Sequence, residues 1–372
     1  MKGSVQFAMT HSAIGGLREI WNDVAAGLAA RGHATGRFVL YPPERLEDAV
    51  GGEDWHHVVA ERPRSPLAAV RMLAALVRYL RRERPAVVVT AMPTANVILP
   101  VAALLARTGT RVIVTHHSPT DTHSRKLDAL DSRTGCLPSV AAVVSVSDAV
   151  AATLAHKPAG YRAKRLTIHN ALPERVEALL DGLARPPRAE ADPARVVALG
   201  RLTRQKNYPM LLDAVARTKR TVLTIVGGGE DEAALRDQVA RLNIGDRVVF
   251  AGATSREAAL EHAAAADIFV QVSLYEGHSL ALIEAARLGL PLIVSDVPVQ
   301  IEGVTLPGGE PAGAVVPLGD IDALARAIQS LADDGEARRR GSALARELAL
   351  GCSNRRMIDA YEKVLARAGA AI

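Results

Sequence analysis

Two glutamates stand eight positions apart in settings that differ sharply. Glu276 lies in the polar loop Tyr275-Glu276-Gly277-His278-Ser279, and Glu284 lies within the apolar run Leu280-Ala281-Leu282-Ile283-Glu284-Ala285-Ala286. A loop that leads into a helix presents unpaired backbone N–H groups and a partial positive charge, which suits an anionic ligand. Carboxylates on different elements are expected to do different work. Upstream, Gly200-Arg201-Leu202-Thr203-Arg204-Gln205-Lys206-Asn207 is cationic. Arginine offers a planar fork and lysine a point charge, a combination that suits a diphosphate, although alone the segment reads equally as a solvated basic loop. Gly227-Gly228-Gly229 and Gly15-Gly16 each follow an apolar run, where glycine permits close backbone approach. Neither forms the G-x-G-x-x-G fingerprint.

Other candidates are weaker. His116-His117 ends an apolar run, where a histidine either meets a ligand or merely closes the strand; which of the two faces a binding cleft is open, with strand register favouring His116. Neighbouring histidines do not share a face, and no further ligands are patterned nearby, so no zinc site is expected. Asp320-Ile321-Asp322 has the form of a metal-binding D-x-D, but it sits just before a helical run and reads better as a helix cap. Nucleophile-elbow, Walker and Cys/His patterns do not occur.

The elements that must hold these residues alternate as short apolar runs and helical patterns, which predicts an α/β fold with parallel sheets. Strands are expected over 5–9, 35–40, 86–90, 111–115, 141–145 and 166–169, then over 195–199, 222–226, 247–251, 267–272, 291–295 and 314–317. With 372 residues, two domains are expected: 1–172, a Pro-containing connector at 173–193, a second domain at 194–352, and a helix over 353–372 that packs back toward the first. Aromatics at 3% argue against a nucleic-acid stacking platform, and the two distant cysteines suggest a reducing compartment without disulfides. The uncharged stretch 86–106 is broken by Pro93 and Pro100 and reads as a strand plus a buried helix rather than a membrane span. Residues 1–170 hold 21 Lys and Arg against 13 Asp and Glu. Much of that excess falls near one amphipathic helix, either a solvated face or a contact for anionic lipid or a phosphate-bearing acceptor.

Taken in order, Gly15-Gly16, His116, Gly200-Arg201…Lys206-Asn207, Gly227-Gly228-Gly229 and Glu276…Glu284 resemble the family-four retaining glycosyltransferases, whose E-x7-E motif the two glutamates match. The resemblance covers nearly the whole chain and is most specific between Gly200 and Asp296. It implies the GT-B fold, two facing Rossmann-like domains, and transfer of a sugar from a nucleotide-sugar to a saccharide or lipid-linked acceptor. No metal is expected to be required. By that resemblance Arg201 and Lys206 pair with the donor diphosphate, Glu284 meets the ribose, and Glu276 with His278, Ser279 and Leu280 holds sugar and phosphate. Gly16 contributes a backbone N–H, Gly15, Gly227 and Gly228 line the donor, and His116 contacts the sugar. The implied setting is cytoplasmic, at the inner face of a membrane, in cell-surface polysaccharide or glycolipid synthesis. A nucleotide-sugar epimerase and a non-catalytic binding subunit are the alternatives. His278 replaces the family's frequent Phe, and Ala171 its frequent Gly.

Overall fold

The computed structural model describes residues 3–12, 16–43, 55–184 and 192–370. The chain forms two compact units: Met1–Asn170 with Asn354–Ile372, and Ala171–Ser353.

Unit 1 runs β1 (Val5–Met9), α1 (Gly16–Ala30), β2 (Thr35–Val39), β3 (His56–His57), α2 (Pro66–Glu83), β4 (Val87–Ala91), α3 (Pro93–Ala106), β5 (Arg111–His116), α4 (Arg125–Thr134), β6 (Val140–Ser145), α5 (Asp148–Thr153), α6 (Ala159–Arg162) and β7 (Arg165–Thr167). All pairs in its seven-stranded sheet are parallel, in the order β3-β2-β1-β4-β5-β6-β7. Val5 pairs with Thr35 on one side and Val87 on the other, so the winding reverses direction at β1. Helices start where local chemistry favours it. The Ser65 hydroxyl accepts the Ala68 N–H at 3.2 Å, and Pro66 occupies the first turn of α2, where its missing N–H costs nothing. Leu76, Leu80, Phe38, Leu99 and Tyr161 contribute to one apolar cluster under the sheet.

The segment 86–106 resolves into β4 and α3, and among the described residues no helix is long and apolar enough to cross a membrane. On α2 two arginines already have internal partners. Arg81 donates to the last carbonyls of α3, at 3.1 and 3.3 Å, and Arg82 pairs with Glu83 at 2.8 Å.

Unit 2 runs α7 (Glu174–Gly182), β8 (Ala194–Leu199), α8 (Tyr208–Ala216), β9 (Thr221–Val226), α9 (Glu232–Arg241), β10 (Val248–Gly252), α10 (Arg256–Ala264), β11 (Ile268–Gln271), α11 (Leu280–Arg287), β12 (Leu292–Ser295), α12 (Pro298–Gly303), β13 (Gly313–Val316), α13 (Ile321–Asp333) and α14 (Gly335–Gly351). Its six strands are parallel, in the order β10-β9-β8-β11-β12-β13. The expected connector 173–193 needs correction, because its first half is the helix α7, which belongs to unit 2. Arg287 of α11 anchors that helix by donating to both oxygens of Asp181, at 2.8 and 2.9 Å. Residues 185–191 of that expectation lie outside the described residues.

α15 (Asn354–Arg367) completes unit 1 by packing on α1. Tyr361 meets Trp21 edge to face at 5.9 Å, and Arg31 pairs with Glu362 at 2.6 Å. Gly27 lets the helices approach, since a Cβ there would fall 2.3 Å from the Ile358 Cδ1.

Candidate functional site

In unit 2 the loops leaving β8, β9 and β11 are knitted together at the carboxyl ends of their strands, the edge where doubly wound sheets bind ligands. Gly200 and Gly227 both adopt φ +140, a conformation that L side chains rarely take. The Leu202 N–H donates to the Gly228 carbonyl at 2.9 Å, tying the β8 loop to the β9 loop. A Cβ on Gly227 would lie 2.1 Å from the Gly200 oxygen, and one on Gly229 2.3 Å from the Leu202 oxygen. The close approach these glycines permit is therefore that of one loop to the other. A Cβ on Gly228 would instead meet Ala253, at 3.3 Å.

That packing presents the cations. A 3-10 turn over Arg204–Lys206 follows Arg201, and Asn207 closes it with φ 53 before α8 begins. Lys206 Nζ lies 2.7 Å from Glu276 Oε1, with side chains 15% and 9% exposed, so the pair is largely shielded from solvent. Gln205 reinforces the junction: its side chain donates to the Tyr275 carbonyl at 3.0 Å, and its own carbonyl accepts from the Leu274 N–H at 2.8 Å. Tyr208 donates to the Gly200 carbonyl at 2.9 Å; burial, with the Glu276 charge nearby, raises its pKa and keeps it a donor. Arg201 is exposed at the head of the same loop.

The β11 loop ends at Ser279, the N-cap of α11. Its hydroxyl accepts from Leu282 N–H at 3.3 Å and donates to Gln271 Oε1 at 2.8 Å. His278 and Ser279 are half-buried, and Leu280 opens the helix. Of the predicted residues, Lys206 and Glu276 meet directly, and Ser279 and Leu280 continue the segment that carries Glu276. Glu284 does not join this pair. It is 3% exposed in the apolar body of α11 and takes a charge-assisted hydrogen bond from Arg256 Nη2, at the first position of α10. Arg256 escaped sequence reasoning because its partner lies 28 residues away, with no periodic signal between them.

In unit 1 the histidines lie differently from expectation. His116 is 3% exposed and shares the face of Val112 and Val114, which point into the apolar cluster. Its Nε2 lies 2.7 Å from the Tyr161 hydroxyl, which donates to Asp131 Oδ2 at 2.8 Å. Tyr161 spends its single proton on Asp131, so His116 is the donor at Nε2. Burial depresses its pKa to about 4, against an opposing pull from Asp131. Strand register alone favours His116 over His117, but the alternation that buries Val112 and Val114 buries His116 too. His117 is the half-buried one, with Nε2 3.0 Å from the Thr115 hydroxyl and its ring edge-on to Trp21. Gly16 is exposed as the first residue of α1, and Gly15 lies outside the described residues.

Asp320 caps α13 by accepting the Ala323 N–H at 2.8 Å, and Asp322 pairs with Arg217, which accounts for the D-x-D in structural terms. A cavity of about 500 Å³ in unit 1, lined by Gln6, Arg37, His56 and Tyr79 among others, lies at the amino ends of the strands, away from the ligand-binding edge.

Known proteins share both units. Residues 14–173 match the model of Glycosyltransferase Family 4, and residues 183–348 match that of Glycosyl transferases group 1. The lipopolysaccharide core biosynthesis glycosyltransferase LpsE of Rhizobium meliloti (strain 1021) is 32% identical over 47% of this chain and 51% of its own length. The chain thus spans about half the length of that relative. Among solved structures, Anabaena Alr3699/HepE in complex with UDP-glucose superposes with a TM-score of 0.75 at 19% identity, covering 98% of this chain and 99% of that one. Sucrose-phosphate synthase from Thermosynechococcus elongatus gives 0.76 at 21% identity, covering 98% of each chain. These likenesses show the fold. Two parallel α/β units, the strand-end constellation of unit 2 and the two matched models together place the chain in family 4 of the group 1 glycosyltransferases, with the GT-B fold.

Proposed function

We propose that the protein is a retaining, metal-independent glycosyltransferase that moves a sugar from a nucleoside-diphosphate donor to a saccharide or lipid-linked acceptor. The observation that carries this reading is the packed junction of the β8 and β11 loops, where Lys206 contacts Glu276 beside Arg201 and the capped start of α11. Departure of the nucleotide leaves negative charge on the diphosphate and positive character on the sugar ring. Arg201, Lys206 and the N–H groups at the start of α11 stabilise the former, and they act strongly because they are preorganised. Glu276 binds hydroxyls of the transferred sugar, aided by the half-buried His278, and Glu284 binds the ribose. A donor phosphate oxygen takes the acceptor's proton as the new bond forms on the face the nucleotide leaves.

HepE was solved with UDP-glucose, which makes uridine diphosphate sugars the first donors to test, and LpsE points to lipopolysaccharide-type acceptors. Arg71 and Arg78 on α2 offer a peripheral contact for anionic lipid. The test is incubation with a panel of nucleotide-sugars, with and without lipid-linked acceptors. Acceptor-dependent release of nucleotide, with the anomeric configuration kept, is the expected result. Isomerisation without acceptor would instead mark an epimerase, and binding without turnover a non-catalytic subunit.

A further inference from the structure

Each carboxylate of the Glu276/Glu284 pair has its own cation, drawn from a different strand-end segment. Glu276 has Lys206, from the segment after β8, and Glu284 has Arg256, from the segment after β10. The two cations differ in setting. Lys206 belongs to the loop proposed to neutralise phosphate. Arg256 is turned onto α11, its side chain 21% exposed over a glutamate side chain that is 4% exposed. We infer that Arg256 is a positioning residue of the donor site: it holds the Glu284 carboxylate ionised and fixed in direction, so that the site distinguishes ribose from 2′-deoxyribose. This rests on the reading of unit 2 as the nucleotide-sugar site with Glu284 at the ribose.

Three observations support it. A carboxylate as buried as that of Glu284 is costly unless paired, and without a cation it would take up a proton or swing toward water. An ionised carboxylate only accepts hydrogen bonds, and this is the form that pairs with a sugar hydroxyl; the neutral acid offers a competing donor. Arg256 itself is held in place. Ser255 caps α10 through the Ala258 N–H at 3.2 Å, and α10 packs against α11, so the guanidinium projects from the rigid first turn of one helix onto the next. Sites built to bind a hydroxyl discriminate strongly against its absence, because a buried acceptor is then left short of a partner.

The experiment measures, by calorimetry, the affinities of UDP, GDP and ADP and of their 2′-deoxy forms for wild type, Arg256→Gln and Arg256→Lys. For the tightest-binding base, wild type is expected to prefer the ribonucleotide by about tenfold or more. Arg256→Gln should lower that preference to within about twofold by weakening the ribonucleotide alone, and Arg256→Lys should recover part of it. A purely structural role would weaken both forms equally and leave the ratio intact; that result overturns the inference. So does a wild type that binds nucleotide without distinguishing the 2′-hydroxyl, although the donor-site reading survives. A wild type that binds no nucleoside diphosphate removes the donor-site reading itself. If Arg256→Gln fails to fold, an unchanged ratio in Arg256→Lys also counts against the inference.

Discussion

Each unit holds a lysine ammonium against a buried carboxylate, and the two lysines are used in opposite ways. In unit 1 Lys157, 2% exposed, gives its ammonium to Asp131 Oδ2 at 2.7 Å, Asp128 Oδ1 at 2.7 Å and the Asp128 carbonyl at 2.9 Å. Three donors meet three acceptors, and Tyr161 and His116 extend the network inward. In unit 2 Lys206 pairs with one carboxylate oxygen of Glu276, on a turn built over glycines, and Arg201 of the same loop is exposed. A saturated ion cluster acts as internal architecture and gains little from a ligand. A cation that keeps donors in reserve at a strand's carboxyl edge can bind one without dismantling the fold.

This contrast can be broken at either end. Lys157→Met should cost about 3–5 kcal/mol by denaturant unfolding, because Asp131 would remain buried without its cation; a loss under about 1 kcal/mol would show that the cluster is not architectural. Arg201→Ala should reduce acceptor-dependent turnover by about 100-fold while leaving the melting temperature nearly unchanged, since exposed arginines contribute little to stability. Wild-type turnover in that variant would remove Arg201 from the site.

Acid should find unit 1 through His116 and its neighbour His117, whose pKa burial likewise depresses, to about 3. Folded, the His116 imidazole stays neutral down to about pH 4, whereas in the unfolded chain it takes a proton near 6.5. Between these values the unfolded state binds more protons, so stability is intact above pH 6.5 and drains away as pH falls toward 4. The loss is on the order of 2–3 kcal/mol, with Asp131, Asp128, Lys157 and His123 as the charges facing the ring. His116→Asn should reduce that slope in thermal melts while leaving the share of His117, and an unchanged slope would assign the acid sensitivity elsewhere. The smallest effect is expected at Asp320→Ala, about 1 kcal/mol from the lost cap of α13, with transfer unaffected. A collapse in transfer would instead point to a metal role for that aspartate.

Much of the sheet structure was legible because fully buried parallel strands are nearly continuous apolar runs, as in Val87–Ala91 and Leu292–Ser295. What escaped has little apolar signal. The buried residues of α4 are Asp131 and Thr134, so its inner face looks polar; those of α14 are two alanines, Ala345 and Ala349. β3 is two residues long and pairs with β2 alone. In the site, Arg201, Lys206 and Glu276 could be read because charge and glycine recur at strand ends. The inward turn of His116 required following the alternation of β5 one residue further, and Arg256 is visible only in three dimensions.

The docking of α15 on α1 also sets a timetable for biosynthesis. Tyr361, which packs against Trp21, leaves the ribosome hundreds of residues after it. At roughly 5–20 residues per second, a nascent unit 1 must wait tens of seconds for α15, with the part of α1 that it covers left exposed. Unit 2, contiguous from Ala171 to Ser353, has all its residues before that wait is over. Chaperone demand during synthesis should therefore fall more on unit 1, whose two segments flank unit 2 in the chain, than on unit 2.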